Sequence, residues 1–412
     1  MNSAVTERAP LHRNRDFVLL QTGQLLSTFG SSMSAIAYPL LALALTRSAA
    51  AAGYVGTVLL IPMLAFNLPA GIAADRFDRK RMMIVSDAVA ATALATLATA
   101  VLTHSARFWL ILLVAFVDAT SSVLFRAGQS GAIRSVVPLP QLATAASVTQ
   151  GRQATVRLGG PPAGGALFAA ARWLPFLADA VSYAFSTVSL LLMRTPFQAV
   201  RQRESTSLRR ELREGVSFFT SIPFLRTTML MIAVSNFTVL GMQLSVIVLA
   251  RRHGLPASAI GGFVALTGAT TLLGSLASPL LRRVLPLHAI LLSEVWAALG
   301  YAAFLAWPSV YVLAGAFAAQ AFCFPNTDSA VAAYSYALIP DALLGRVLAV
   351  SNTLRVLAAP LGPLVAGLLL SAVSPRLAVA TLAGATLAAA AFATLSRSIR
   401  EAPILEELTG TA

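Results

Sequence analysis

The chain has 412 residues, of which 57% are hydrophobic and only 11% charged, and its mean hydropathy is +0.76. A water-soluble fold of this length cannot carry so little charge on its surface, so most of the chain has lipid as its solvent. The net charge of +14 would suit a nucleic-acid binder, but the placement of the arginines excludes that reading.

Apolar stretches of about twenty residues, each long enough to cross the hydrocarbon core as a helix, recur along the chain. Spans are predicted at 17–45, 52–74, 82–103, 107–133, 143–170, 174–193, 225–250, 258–281, 287–306, 309–337, 344–371 and 376–395. The runs are continuous and do not alternate, and backbone groups in lipid must be satisfied within a segment, which excludes a β-barrel. The expected fold is an all-α membrane protein of twelve transmembrane helices.

Residues 1–16 are polar and lack a short apolar run followed by a small-residue cleavage site, so they read as a cytoplasmic tail. With that end inside, twenty of the 30 basic residues fall in inside segments, six in outside segments and four within spans. Positive loops stay cytoplasmic, so the charge is topological and both termini are expected in the cytoplasm of a cell with the chain in its inner (plasma) membrane. No nucleic-acid partner is expected.

The loop after the second span reads Gly71-Ile-Ala-Ala-Asp75-Arg76-Phe-Asp78-Arg79-Lys80-Arg81. Gly71 permits close helix contact, and Asp75 can sit against a helix N-terminus and exchange partners with nearby arginines. Further along, Asp118 in the fourth span and Arg152 in the fifth both lie near the bilayer midplane and are placed to pair. Arg157 falls on another face or depth than Arg152. Asp87, Asp179 and Glu294, near the ends of their spans, read as structural, with Asp87 near enough to serve the Arg79 network.

The fifth span contains Gly160-Pro161-Pro162-Ala163-Gly164-Gly165, a segment that can bend and let a neighbouring helix approach closely. Residues 194–224, including RQRESTSLRRELREG, form the one long polar stretch and separate six spans from six. Two readings of it stand: a partly helical segment against anionic lipid, or a free solvated linker. The remaining bounds are a six-helix bundle at 17–193, a second at 225–395, and a cytoplasmic tail at 396–412.

The halves align at a spacing of 202, pairing Pro138 with Pro340, Gly160 with Gly362, Pro161 with Pro363, Gly165 with Gly367 and Arg126 with Asp328. At 203, Gly71 pairs with Gly274 and Arg79 with Arg282. Two duplicated halves facing a central cavity are the consequence. Gln24, Arg126, Arg152, Arg157, Asn236, Gln243, Asn326 and Arg355 are the candidates to line it. The arginines either make that cavity attractive to an anionic or zwitterionic substrate or hold helices together through carbonyls.

The loop resembles the signature G-x-x-x-D-R-x-G-R-[RK] of the major facilitator superfamily, matched at Gly71, Asp75, Arg76, Arg79 and Lys80, with Asp78 in place of the second glycine. The resemblance implies a cytoplasmic latch, with its partner at the start of the eleventh span, near Gly345 and Arg346. Gly160, Pro161, Gly164 and Gly165 resemble the signature of the superfamily's antiporters and drug exporters. Arg13-Asn14-Arg15-Asp16-Phe17, the Asp75 loop and Phe176-Leu-Ala-Asp179-Ala-Val-Ser182-Tyr183 resemble its enterobactin-exporter-like branch.

An enzyme is not expected: there is no phosphate-cradling G-x-x-x-x-G-K and no H-E-x-x-H, and Cys323 is alone, so neither cofactor nor metal is foreseen. Proton coupling needs a carboxylate that alternates between dry and watered surroundings. Asp118 is the first candidate and Asp328 the second. The expectation is a monomeric, proton-coupled exporter of a small molecule working by alternating access, with an importer or a non-transporting receptor as the alternatives.

Overall fold

The computed structural model describes residues 11–195, 197 and 208–400. Their regular structure is helical: α1 (Arg15–Thr46), α2 (Ala49–Val58), α3 (Ile61–Arg76), α4 (Arg79–Leu102), α5 (Phe108–Val136), α6 (Leu142–Ala170), α7 (Leu174–Leu192), α8 (Leu208–Ser221), α9 (Pro223–Arg252), α10 (Ala257–Val284), α11 (Leu287–Trp296), α12 (Tyr301–Ala306), α13 (Val310–Leu338), α14 (Asp341–Leu357), α15 (Leu361–Ala372) and α16 (Pro375–Leu395). Three further short helical turns lie at Leu11–Arg13, Leu139–Gln141 and Ala297–Gly300, and a last one at Arg397–Arg400.

Twelve long spans result once α2 joins α3, α11 joins α12 and α14 joins α15. Among the described residues ten are long and apolar enough to cross a membrane. The other two, α6 and α13, are 29 residues each but interrupted by polar side chains, Arg152 and Arg157 in one and Gln320, Asn326 and Asp328 in the other. Prolines explain two of the broken spans. Pro62, in the first turn of α3, and Pro360, just before α15, each lack the N–H that a continuous helix would use.

The described chain separates into two compact units, Met1–Ala37 with Ala65–Gln202, and Tyr38–Leu64 with Arg203–Ala412. The division cuts through the first two spans. Within the second unit, α2 lies directly on α15: a Cβ on Gly53 would come within 2.6 Å of the Pro363 carbonyl oxygen, and one on Gly367 within 2.7 Å of the Ala49 carbonyl oxygen. Thr57 Oγ1 donates to the Pro360 carbonyl (2.9 Å), and Ser371 Oγ accepts from the Ala50 amide (2.8 Å). Small residues bring the two backbones close enough for these bonds.

The exterior is what a lipid solvent requires. On α10, Leu276 and Leu280 are 70% and 65% exposed, whereas the carboxylates Asp87, Asp118, Asp179 and Glu294 are all buried. This inverts the arrangement of a soluble fold, because an unpaired charge facing hydrocarbon costs about 3 kcal/mol while a leucine there costs nothing.

The amino-terminal motif ties the first unit together at one end of its helices. Asn14 accepts from the Phe17 amide (3.1 Å), closing the first turn of α1, and donates to the Val136 carbonyl (2.9 Å). Asp16 accepts from the amides of Arg194 and Thr195 (3.2 and 2.8 Å) and from the Thr195 hydroxyl (2.5 Å). Lys80 donates to the Met193 carbonyl (2.6 Å). Phe17, Leu20, Met83, Val136, Leu190 and Met193 form the apolar core beneath. Asp16→Ala leaves two backbone donors without their charged acceptor and is expected to destabilise the protein by about 2 kcal/mol, read as a lower melting temperature in detergent.

Of the polar linker, residues 208–221 form helix α8. Phe219 is buried in the second unit's core with Leu225, Met229, Tyr334 and Val347, and Glu214 pairs with Arg346 at the start of the eleventh span (2.5 Å). The helix is docked through its aromatic face.

Candidate functional site

In the first unit, α7 presents a polar stripe to the interior. Asp179, Ser182, Tyr183, Ser186 and Ser189 are all buried, and their spacings of three, four, seven and ten residues from Asp179 place them along one face of the helix. Opposite stands the glycine face of α1. A Cβ on Gly30 would collide with the Ser182 hydroxyl and the Asp179 carboxylate, and one on Gly23 would lie 3.1 Å from Ser189 Cβ. Glycine is needed at both places because the acid and the serines occupy the space a side chain would take.

Tyr183 joins three helices. Its hydroxyl donates to Asp118 Oδ1 on α5 (3.0 Å), and its oxygen lies within hydrogen-bond distance of the Ser31 hydroxyl on α1 (2.9 Å) and the Ser122 hydroxyl on α5 (3.3 Å). Asp118 is thus held by a buried hydroxyl. Arg152, expected beside it, instead donates to Gln24 Oε1 on α1. Helix rotation decides the difference: at its position along α6, Arg152 faces α1. Asp87 does not serve Arg79 either; it is 1% exposed, with Ser186 as its polar neighbour.

The α1 and α6 helices make a seam along much of their length. Gln21 donates to Thr149 (3.2 Å) and Gln24 meets Arg152, and beyond these polar contacts the glycines begin. Cβ atoms on Gly159, Gly160 and Gly164 would strike the Phe29 ring, the Ser32 side chain and the Met33 backbone, respectively. Pro161 and Pro162 lie inside α6 without ending it. The motif residues Gly160, Pro161, Gly164 and Gly165 are buried. In the second unit the equivalent Gly362 packs against the Phe237 backbone of α9, next to Gly241.

The loop at Gly71 is arranged differently from the expectation of close contact, since a Cβ there would meet nothing within 4 Å. Its counterpart Gly274 is packed hard against the Phe322 backbone of α13. Asp75 pairs with Arg79 one turn on (3.1 Å), and Arg79 Nε also donates to the Ala74 carbonyl (3.1 Å). Asp78, the departure from the signature, is the N-cap of α4: its carboxylate accepts from the Arg81 amide (2.8 Å). The acid replaces a glycine's turn freedom with a capping bond. Arg76 is exposed and Lys80 is used at Met193.

In the second unit, Glu294 on α11 accepts from Ser235 on α9, and Gln320 on α13 donates to its backbone carbonyl (3.3 Å). Tyr301 in turn donates to Gln320 Oε1 (2.6 Å). Position 320 is Asp118 shifted by the repeat of 202. In each half, therefore, a buried tyrosine donates to this position, but only the first half has a titratable group there. Asp328 forms an ion pair with Arg355, and Asn236 donates to the Arg355 backbone carbonyl (2.7 Å). Asn326 is buried and donates to Phe322 one turn back (3.1 Å), while Gln243 is half-buried. Arg126 and Arg157 are exposed, with no hydrogen bond or ion pair found for either among the described residues.

Sequence reasoning took Asp118 as an interior acid and Asp179 and Glu294 as structural, and gave no role to Tyr183 or Ser235; all five are buried. The signal for Tyr183 was present. Polar residues at helical spacing in an otherwise apolar span mark a face turned away from lipid.

Residues 21–293 match the family described as the Major Facilitator Superfamily. The MFS-type transporter YfiS of Bacillus subtilis (strain 168) is 27% identical over 276 residues, 64% of this chain and 64% of that protein. Macrolide efflux protein A of Enterococcus faecalis is 23% identical over 159 residues, 38% of this chain and 49% of its own length. The chain thus spans under two-thirds of the curated relatives it matches. Among solved structures, a bacterial homologue of the human lysosomal transporter Spinster superposes with a TM-score of 0.72 at 16% identity, covering 94% of this chain and 97% of that one. A bacterial homologue of the iron transporter ferroportin gives 0.69 at 19% identity, covering 95% and 99%. With the loop signature, the twelve long helices and a family match over most of its length, the chain belongs to the Major Facilitator Superfamily, a family of membrane transporters and not of enzymes.

Proposed function

We propose that this protein is a secondary exporter that couples inward movement of protons to outward movement of a small molecule, of the drug, siderophore or secondary-metabolite class. Its place is the plasma membrane, with both termini cytoplasmic, as a monomer. The observation that carries the direction is similarity over 38–49% of the chain to macrolide efflux proteins, at 22–23% identity. The α1–α6 glycine seam supports it, since a pliant, tightly closed helix pair lets a carrier change shape without leaking protons.

Alternating access supplies the mechanism. Asp118 carries the proton, because it is a buried acid near the bilayer midplane held by the Tyr183 hydroxyl, whereas Asp328 is neutralised by Arg355. The turn from Gly71 through Asp75, Arg76 and Arg79 to Lys80 serves as the cytoplasmic latch. Gln24, Arg126, Arg152, Arg157, Asn236, Gln243, Asn326 and Arg355 contribute to the substrate path, with Arg152 held by Gln24 and Arg355 by Asp328.

The test is uptake of a labelled macrolide by everted membrane vesicles with an acid interior. Accumulation that an uncoupler abolishes is the expected result. Loss of preloaded macrolide under the same gradient would establish an importer.

A further inference from the structure

The polar end of the α1–α6 seam has hydrogen-bonding groups left over. Gln21 meets Thr149 and Gln24 meets Arg152 at the same offset of 128 residues, and Gly160 meets Ser32 and Gly164 meets Ile36 at that offset too. The two helices therefore run parallel and in register, and the glycine contacts fix which polar side chains face each other. Gln24 is 2% exposed. An arginine has only donors, so Gln24 must turn its oxygen to Arg152, which leaves its own amide nitrogen, Nε2, without an acceptor. Arg152 Nε is buried without one as well. One turn back, the Thr149 hydroxyl gives its proton to the Ala145 carbonyl (2.9 Å) and so accepts from Gln21, leaving Gln21 Oε1 without a donor.

Polar groups left unpaired inside a protein cost folding free energy, and an arginine kept only to join helices would spend its N–H groups on carbonyls. The one bond found for Arg152 among the described residues goes to Gln24. The arginine is half-buried, and beside it a Cβ on Gly151 would meet nothing within 4 Å. Gln150, Gln153 and Arg157 are exposed, at spacings of three and four that put them on one face of α6. Charged and amide side chains within a span turn to water or protein and not to hydrocarbon, so this exposed face is a watered one. Neither Arg152 nor Arg157 has a carboxylate partner among the described residues. A watered cationic face bordered by unpaired donors calls for an anion.

We propose that Arg152 and Gln24 bind the carboxylate of the transported molecule, and that this molecule is a hydroxy acid whose hydroxyl donates to Gln21. The proposal rests on the reading above that puts Gln24 and Arg152 in the substrate path, and it names the chemistry of the cargo. The cargo's carboxylate takes the place of the Gln24 oxygen in front of Arg152, and Gln24 turns its amide nitrogen to the same group. A planar guanidinium and a neighbouring amide offer N–H groups that two carboxylate oxygens accept together. Gln21 stands three residues from Gln24, about 4.5 Å along the helix, so an acid with its hydroxyl a few bonds from the carboxylate reaches both. Binding thus exchanges the Gln24–Arg152 bond for bonds to cargo at the polar end of the seam, while the contacts at Gly160 and Gly164 hold the other end.

The experiment measures equilibrium binding of radiolabelled 3-hydroxybenzoate to the purified full chain in detergent, with unlabelled 3-hydroxybenzamide, its neutral isostere, as competitor. Saturable binding that the amide does not displace is expected of the wild-type protein. Arg152→Gln is expected to weaken it about tenfold or more. Gln24→Glu sets a carboxylate of nearly the same shape against Arg152, so it is expected to fold with a melting temperature no lower than wild type and yet to lose binding, because the site is then filled by the protein's own acid. This variant carries the test if Arg152→Gln does not fold, and it separates a binding role from a structural one, since a bond kept only to join the helices would be strengthened with no effect on the probe. Wild-type affinity in Gln24→Glu overturns the proposal, as does equal competition by the amide or no saturable binding by the wild-type protein. No gradient is applied, so the outcome is independent of direction and proton coupling, which the vesicle experiment decides.

Discussion

Gly164→Leu is expected to abolish transport and to reduce the amount of folded protein more than any other substitution in α6. A Cβ at this position would lie 2.5 Å from the Met33 carbonyl oxygen and 2.7 Å from Met33 Cα. Both are backbone atoms of a packed helix, so no side chain can swing aside. Leucine adds three more carbons, and overpacking of this kind costs about 1–3 kcal/mol or more, with the rest of the seam at Gly160 forced apart. Gly151→Ala, in the same helix, is the control, because the new methyl group meets nothing within 4 Å and a helical alanine gains up to about 1 kcal/mol over glycine. Thermal unfolding in detergent and macrolide uptake measured on both variants check the contrast. A stable, active Gly164→Leu protein would refute the requirement for close α1–α6 contact.

The second large effect is expected at Asp118. Asp118→Asn keeps an oxygen able to accept the Tyr183 hydroxyl, so the fold should persist, but the side chain no longer takes or gives a proton. Uptake driven by a proton gradient is expected to fall roughly a hundredfold, while exchange of macrolide across the membrane without a gradient continues. Asp328→Asn provides the comparison. Its ion pair with Arg355 is partly exposed, and breaking such a pair is worth only about 1 kcal/mol. Its effect on coupling should therefore be several-fold at most. Equal losses in the two variants would argue that the proton is shared between the halves, and wild-type coupling in Asp118→Asn would remove that residue from its role.

The second half has no titratable counterpart of Asp118. At the position equivalent to Asp118 stands Gln320, which accepts a buried tyrosine hydroxyl in the same manner (2.6 Å). The hydrogen bond is preserved and the charge is not. The second half's own buried acid, Glu294, accepts from Ser235.

Several local features could be read from sequence because their causes are local. The span bounds differ from the helices by a few residues, since a run of apolar residues long enough to cross the bilayer needs no partner to declare itself. The loop at Asp75 was legible for the same reason, and the linker only as a choice between a helical and a free segment. Its docking was not, because the partners Phe219 and Glu214 find lie more than a hundred residues away, at Tyr334 and Arg346.

What sequence alone determined here is the solvent, the number of long helices and the family, all consequences of composition and short-range pattern. Which polar groups meet inside the membrane was decided only by tertiary structure. Arg152 and Asp118 share a depth, yet α6 turns the arginine to Gln24 while α7 brings Tyr183 to the acid. Depth follows from counting along one helix, whereas partnership depends on how each helix is rotated against its neighbours, and that is settled when small residues such as Gly30 and Gly164 let the backbones close.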